Sequence, residues 1–384
     1  MRPVKAALLG LRMTARARGR ATAAIVGIAV ACFLLCAGRS LEGAVREATE
    51  SGARDARLVV YRANRFCPPT SRLPERYVEE VARIDGVRSA VPVQVVVSNC
   101  RTSLDVVVFR GLRDRDLAVL ARERLAFVDG SIEAFLARDD GALVGRGLAE
   151  RRRLAVGDRL TSAGITVVVS GIVDASGMQE RNGCFVKLPF LQAAAGGAQG
   201  GMVTQLEVEV ADPARRAEVA ASIDRRFEAD AAPTSTRDEK AFAARAAGDV
   251  VRLAGFAGWL SLGALAAVFG LVASAIMLSL EGRVREVAIL QAVGFGTPDV
   301  LVAIVAEGLA LALAGGVVGT GAAMLALAAG DLSIGAEGVV IEFRPSASVA
   351  LAAIAAAVAT GVLAGLAPAA VAARRTIVEG LRCA

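Results

Sequence analysis

Polar and apolar positions alternate between two regimes along this chain. Four stretches are apolar almost without interruption. Ala21 to Gly38 holds 18 residues without a charge, Leu253 to Leu280 holds 28, Val300 to Gly330 holds 31 with only Glu307 inside, and Pro345 to Ala373 holds 29. A bilayer core of roughly 30 Å needs about 20 helical residues, so each predicts a membrane span. Between the first and second lies a different pattern. Leu58–Tyr61, Gln94–Val97, Val106–Phe109 and Gln205–Val210 read as strands, while Pro74–Ile84 and Pro213–Phe227 read as helices. ALVGRGLAERRRLAVGDRLT (142–161) suggests strand, helix, Gly-Asp turn and strand, and ITVVVSGIVD (165–174) a further strand run. This middle region is too long for a loop. It predicts an α+β domain of two subdomains, with a β-rich unit from about 113 to 200 inserted into a flanking layer.

At the end of the domain, Thr236-Arg237-Asp238-Glu239 fits a capping box, with Thr236 as N-cap. A continuous helix from about 237 to 280 would be roughly 65 Å long, half of it standing outside the bilayer as a stalk. Ser40 to Glu50 could form a partner stalk after the first span. Trp259, the only tryptophan, would lie near the outer interface.

Composition supports the membrane reading. Among 384 residues 55% are hydrophobic and mean hydropathy is +0.53. Histidine is absent, which removes imidazole as base, metal ligand or pH switch. The formal net charge is +6, but its densest block is Arg2, Lys5, Arg12, Arg16, Arg18 and Arg20, just ahead of the first apolar run. That placement fixes membrane orientation rather than making a nucleic-acid stripe. Arg374, Arg375 and Arg382 make the tail basic, whereas the loop near 331–345 carries Asp331, Glu337 and Glu342 against Arg344. Both termini and the loop after the second span are therefore expected in the cytoplasm, and residues 39–250 outside. Ala29-Val30-Ala31-Cys32 hints at a lipoprotein cleavage site. Against processing there, the apolar run continues past Cys32 and three later spans would anchor the chain.

The six cysteines are Cys32, Cys36, Cys67, Cys100, Cys184 and Cys383. Three lie in the outer domain, where an oxidising compartment permits a disulfide. Cys67 and Cys100, each beside a strand of one layer, are the candidate pair; the alternative is three reduced, buried thiols. No Cys-x-x-Cys spacing exists, no metal site is expected, and no cofactor is implied. Without Gly-x-x-x-x-Gly-Lys-Ser/Thr the chain has no P-loop of its own.

EGRVREVAILQAVGFG (281–296), between the second and third spans, is unlike its neighbours. As a helix it pairs Glu281 with Arg285 at i,i+4. It presents two apolar sides, one with Val284, Val287, Ala288 and Phe295 and another with Ile289, Leu290 and Val293. Such an element is expected between a membrane-side neighbour and a cytoplasmic one, as a force-bearing elbow or a plain interfacial connector. Gly294 and Gly296 can end it, and Thr297-Pro298-Asp299 looks like the start of the third span. Glu307 inside that span is either a functional intramembrane acid or a group reaching the inner interface. Gly315/Gly319 and Gly361/Gly365 have small-xxx-small spacing for close helix contact.

Arg-x-Arg-Glu-Val-Ala-Ile-Leu-Gln-Ala-Val-Gly-Phe-Gly (283–296), followed by Glu307 and then Gly315, Gly316 and Gly319, resembles the permease core of the MacB/FtsX/LolC-like ABC transporter family. The lead ALLGLRMTARARGRATAAIVGIAV (7–30), DGVRSAVP (85–92), residues 142–161 and GLAPAAVAARRTIVEGLR (365–382) resemble the family's other segments. Gln291 departs from its usual arginine. The resemblance implies segments in this order: an entry helix (1–20), a first span (21–38), the periplasmic domain with stalks (39–250), a second span (251–280) and a coupling helix (281–298). A third span (299–330), a short periplasmic loop (331–345), a fourth span (346–373) and a cytoplasmic tail (374–384) follow. It implies a non-catalytic inner-membrane subunit, paired with a second permease copy or a paralogue and driven by a separate ABC ATPase. Arg283, Arg285, Glu286, Ile289, Leu290 and Gly294 would contact that ATPase. The outer domain would grip a substrate or a periplasmic adaptor, and the assembly would export or extract a lipid, lipoprotein, peptide or drug. The alternatives are a force or signal transmitter that activates an envelope enzyme, and a membrane-anchored sensor without an ATPase.

Overall fold

The computed structural model describes residues 18–49, 56–65, 71–98, 106–175, 177–195, 200–246, 248–281, 296–330, 333–336, 339–343 and 346–374. In chain order, helix α1 (Arg18–Thr49) precedes β1 (Arg57–Arg62), β2 (Leu73–Pro74), α2 (Tyr77–Val81), β3 (Val87–Val97) and β4 (Val108–Leu112). Next come α3 (Asp114–Glu123), β5 (Ala126–Gly130), α4 (Ile132–Leu136), β6 (Gly141–Gly145), α5 (Arg146–Arg152), β7 (Arg159–Ser162) and β8 (Ile165–Asp174). They are followed by α6 (Met178–Asn182), β9 (Gly183–Lys187), α7 (Leu188–Ala194), β10 (Met202–Val203), β11 (Gln205–Val210), α8 (Arg216–Arg226), β12 (Thr234–Asp238) and α9 (Glu239–Ala246). The chain closes with α10 (Gly248–Glu281), α11 (Thr297–Gly330), β13 (Ser333–Ala336), β14 (Val339–Glu342) and α12 (Ala347–Arg374).

The chain divides into two units, 1–43 with 253–330 and 344–384, and 44–252 with 331–343. The first contains helices long and apolar enough to cross a membrane, four among the described residues. Its interior is rich in alanine: Ala24, Ile28, Ala31 and Cys32 of α1 meet Leu311 of α11 and Ala357 and Ala364 of α12. Val26, Val30, Leu34, Trp259, Leu325 and Leu351 point outward, as residues facing lipid do. Hydroxyls here bond along their own helices: Thr320 Oγ1 donates to the Gly316 carbonyl at 2.6 Å and Thr360 Oγ1 to Ala356 at 2.7 Å. These two hydroxyls are thereby satisfied where water is absent.

The second unit is built on one hydrogen-bonded path, β12-β1-β11-β3-β4-β9-β6-β8-β5, with β7 added to β8. β3 joins its two layers. Residues 87–93 pair antiparallel with β11, and Gln94–Val97 pair antiparallel with β4. At the changeover the buried Thr204 hydroxyl donates to the Val93 carbonyl at 3.0 Å and accepts from the Val95 N–H at 2.8 Å. A side chain thus satisfies the backbone groups between the two ladders. In the outer layer α2 and α8 cover one face, burying Tyr77, Val81, Val219, Ile223 and Phe227 against Leu58, Leu206 and Val208. The Tyr77 and Phe227 rings stack at 4.1 Å between centroids. The second layer is covered on both faces. Leu143, Val173 and Phe185 face one side, and Ala142, Val144, Val167, Cys184 and Val186 the other. Strands buried on both faces read as continuous apolar runs, which is why β6, buried along its whole length, shows no alternation.

Three local expectations change. Thr236 is not an N-cap. It lies in β12, paired with Val60 of β1, and its hydroxyl donates to Asp224 Oδ1 at 2.7 Å. The exposed edge of β1 offers a full ladder, which outweighs one capping bond. The helix expected over 237–280 accordingly gives way to β12, α9 and α10, with residue 247 outside the described set. The helix expected over Pro74–Ile84 contracts to Tyr77–Val81, because Leu73–Pro74 pair with β10. The stretch 331–345 also carries more than a connection: β13 and β14 form an antiparallel hairpin that belongs to the second unit.

Within the membrane unit the tightest contacts fall at glycines. A Cβ on Gly315 would meet Ile28 Cβ at 2.6 Å, one on Gly319 would collide with the Ala29 backbone, and one on Gly361 would meet Ala312 Cβ at 2.6 Å. Gly321, on the same helix as Gly319, faces open space. Gly319→Ala should therefore destabilise the detergent-solubilised chain by about 1–3 kcal/mol through overpacking, whereas Gly321→Ala should be neutral or slightly stabilising. Thermal unfolding of both variants checks this, and equal midpoints would refute the close α1–α11 contact.

Candidate functional site

The second unit contains a charged network that its strand pattern positions. β11 reads Gln-Leu-Glu-Val-Glu-Val, with Leu206 and Val208 in the core and Glu207 and Glu209 on the opposite face. Arg110, the lone charge in the apolar β4, ion-pairs with Glu207, which also accepts from Gln205 Nε2 at 3.0 Å. Glu209 accepts from Arg88 Nη1 of β3 and Arg124 Nη2, each at 3.0 Å. Arg57, the first residue of β1, donates through Nη1 to Glu180 Oε1 of α6 at 2.9 Å, and its Nε lies 3.2 Å from Glu239 Oε2 of α9. Arg57, Arg110, Arg124, Glu180, Glu207 and Glu209 line a cleft of about 100 Å³.

Burial and neighbouring charges together set the charge states. Burial alone would lower the Arg57 and Arg110 values, but the neighbouring carboxylates outweigh it and raise both. Burial pushes Glu180 up, yet Arg57 and Arg110 hold it below its ordinary value of 4.5. Glu239 moves the other way: burial raises it, Glu207 and Glu180 add to the rise, and Arg57 offsets only part. Two carboxylates on one guanidinium are thus unequal, Glu180 being the firmer partner.

α6 extends the network to the hairpin. Arg181 Nη1 is 2.6 Å from Asp174 Oδ1, and its Nε is 3.6 Å from Glu342 Oε2 of β14. Asn182 Nδ2 donates to Glu342 Oε2 at 3.2 Å, the Val340 N–H donates to Gln179 Oε1 at 3.4 Å, and Val340 is buried in the second-layer core. Among the described residues no group of three or more His, Cys, Asp or Glu side chains is arranged to hold a metal ion. The cluster's chemistry is charge pairing, and what it joins is structural segments.

The residues singled out from sequence are placed unevenly. Arg283, Arg285, Glu286, Ile289, Leu290 and Gly294, together with Cys67 and Cys100, lie outside the described residues. Glu307 is half-buried in α11. Gly315 and Gly319 bring α11 against α1, Gly361 brings α12 against α11, and Gly365 lies in α12. Cys184 is a buried free thiol whose value burial pushes up, as expected of an unreactive core residue. Sequence reasoning missed Arg57, Arg110, Glu180, Glu207 and Glu239. The available signal was single charges set into strands, as in VVVFRGL and QLEVEV.

A membrane protein of long apolar helices carrying an α/β domain is the class these features define. A family model described as MacB-like periplasmic core domain matches residues 21–226, over half of the chain, and one described as FtsX-like permease C-terminal matches 258–377. The chain belongs to the MacB/FtsX-like permease family of ABC transporters, membrane subunits that work with ABC ATPases. Among solved structures it is similar to the extracellular domain of the noncanonic ABC-type transporter YknZ from Gram-positive bacteria. That match has 13% identity and a TM-score of 0.33, and covers 47% of this chain and 98% of the other. It is also similar to the periplasmic region of MacB from Actinobacillus actinomycetemcomitans, with 8% identity and a TM-score of 0.35, covering 50% and 92%. No curated protein matches the chain.

The geometry predicts two outcomes. Arg110→Leu leaves Glu207 without its buried cation and should cost about 3–5 kcal/mol, while adding Glu207→Leu should recover most of that loss. Denaturant unfolding of the full-length chain in detergent measures both. For Glu180, a depressed carboxyl stabilises the fold fully above its ordinary value of 4.5 and loses that contribution as pH falls through the folded value. The stability gap between native chain and Glu180→Gln should therefore be flat from about pH 6 to pH 8 and close toward about pH 3. A gap that widens on acidification would contradict the assignment.

Proposed function

We propose that this chain is the membrane subunit of an ABC exporter or extractor, turning ATP hydrolysis by a separate ATPase into movement of its outer domain. The observation that carries this reading is the attachment of the outer unit between both pairs of long helices: β1–β12 and α9 between α1 and α10, and the β13–β14 hairpin between α11 and α12. An outer domain tethered in this way suits work done outside on a lipid, lipoprotein, peptide or drug.

In this reading residues 281–298 form the coupling helix in the cytoplasm. Arg283, Arg285 and Glu286 meet the ATPase by charge, Ile289 and Leu290 by apolar contact, and Gly294 ends the element. Both termini are cytoplasmic, in keeping with the basic residues at each end. The membrane is the bacterial inner membrane, residues 39–250 are periplasmic, and a second copy or a paralogue completes the assembly. Gly315 and Gly319 serve packing within one chain, and Glu307 takes a structural or coupling role in the third span.

The test is ATP turnover by the purified complex of this chain with its ABC ATPase. Glu286→Lys with Leu290→Asp should abolish complex formation or lower turnover at least about tenfold, a loss of about 1.4 kcal/mol or more, while the variant still inserts and folds. Unchanged binding and turnover would make the elbow a plain connector and sink the coupling role.

A further inference from the structure

Arg57 occupies a singular place in the chain's connectivity. It opens β1, the first strand after α1. One of its ion pairs goes to Glu239, the first residue of α9, which runs toward α10. The other goes to Glu180 of α6, the short helix whose Gln179, Arg181 and Asn182 hold the hairpin between α11 and α12. Among the described residues, one guanidinium therefore touches, directly or through one five-residue helix, a segment at each connection between the outer domain and the long helices.

We propose that Arg57 is the positioning residue that makes these connections move together: displacement at the α9 end is carried through Glu239, Arg57 and Glu180 into α6 and on to the β13–β14 hairpin. The inference rests on the permease reading for its use, though not for its geometry.

The chemistry suits the task. A guanidinium presents five donors in a planar fork and can hold two carboxylates at once. Arg57 remains 37% exposed on its side chain and Glu239 28%, so water can replace either bond when an arm is displaced, whereas Glu180 at 11% stays the fixed anchor. The pairing is thus strong on the hairpin side and exchangeable on the α9 side. A core contact would give the same proximity without a directional, breakable bond.

The experiment uses the full-length chain in lipid nanodiscs, with hydrogen exchange followed in 239–246 and 339–342. In the chain alone, Glu239→Gln should speed exchange of 339–342 roughly threefold, although the altered group lies on α9. Arg57→Gln should speed both segments by a similar factor, and Arg57→Lys should fall between. Exchange of the core strand 141–145 serves as the folding control and should stay within about twofold. If both Gln variants loosen 239–246 while 339–342 exchanges as in the native chain, the two arms are independent and the proposal is overturned. With the ATPase bound and trapped by ATP and vanadate, the native chain should change exchange in both segments, and Arg57→Gln in 239–246 alone. An undiminished response at 339–342 in Arg57→Gln also overturns it. No response anywhere in the native chain would instead overturn the ATP-driven reading, with the latch still decided by the nucleotide-free comparison.

Discussion

A bilayer core offers no water to backbone N–H and C=O groups, so only closed hydrogen-bonded elements cross it. Everything else in this chain follows from that restriction. The four long helices can be apolar all round and still stable, since α1, α10, α11 and α12 bond internally. They can communicate with a domain outside only through their ends. Those outer ends lead into β1, α9, β13 and β14, and the outer domain is arranged around these segments. Inside the membrane unit, hydrophobic burial gives little preference for protein over lipid, so association depends on close packing. The backbone-to-backbone approach at Gly319 and Ala29 is the clearest instance.

The same accounting of backbone groups explains the outer domain. Its two layers could have been separate sheets with two sets of open edges. Instead β3 is long enough, at 11 residues, to serve β11 with one half and β4 with the other. Thr204 covers the changeover. The second layer buries both faces and has few charges to spare, so Arg110 reaches Glu207 across the junction between layers. Charged pairs that bridge layers are poor sources of net stability, because desolvation offsets most of the attraction. They are, however, specific: a shift of one layer would leave a guanidinium or carboxylate buried and unpaired.

Where local pattern and final structure agree, one force dominated. Gln205–Val210 alternates because β11 has one core face and one charged face. Residues 141–145 carry no polar side chain because β6 is buried along its whole length. The long helices are legible for the same reason, since length and hydropathy alone suffice. Thr236 shows the limit. Its capping box is a real local preference, overruled by the ladder that β1 offers, and nothing near Thr236 announces β1. The pairing of β13 with β14 could have been suspected from the Glu-Gly pair between SIGA and VVIE in the sequence, but its attachment to α6 could not. The charged network was invisible because its members are far apart in sequence, Arg57 and Glu180 by 123 residues and Arg110 and Glu207 by 97. Family resemblance made the elbow at 281–298 conspicuous and these residues inconspicuous, since the motifs that carry it lie elsewhere.

Stability and transmission ask for different bonds. A transmitting domain must hold its shape while its attachments change, which favours apolar packing inside layers and polar pairing where segments converge. The partition here follows that division. Leu143, Phe185 and Val173 close the second layer without a polar atom among their side chains, while the ends of β1, α6 and α9 meet through one arginine and two carboxylates of unequal firmness. Arg57 and Arg110 keep Glu180 ionised against the effect of burial, whereas burial, with Glu207 and Glu180, disfavours the ionised form of Glu239. The weaker of the two bonds is on the arm that leads to α10, and the stronger on the arm that holds the hairpin. A load entering through α10 would therefore meet the yielding bond first, and the hairpin would follow only as far as that bond holds.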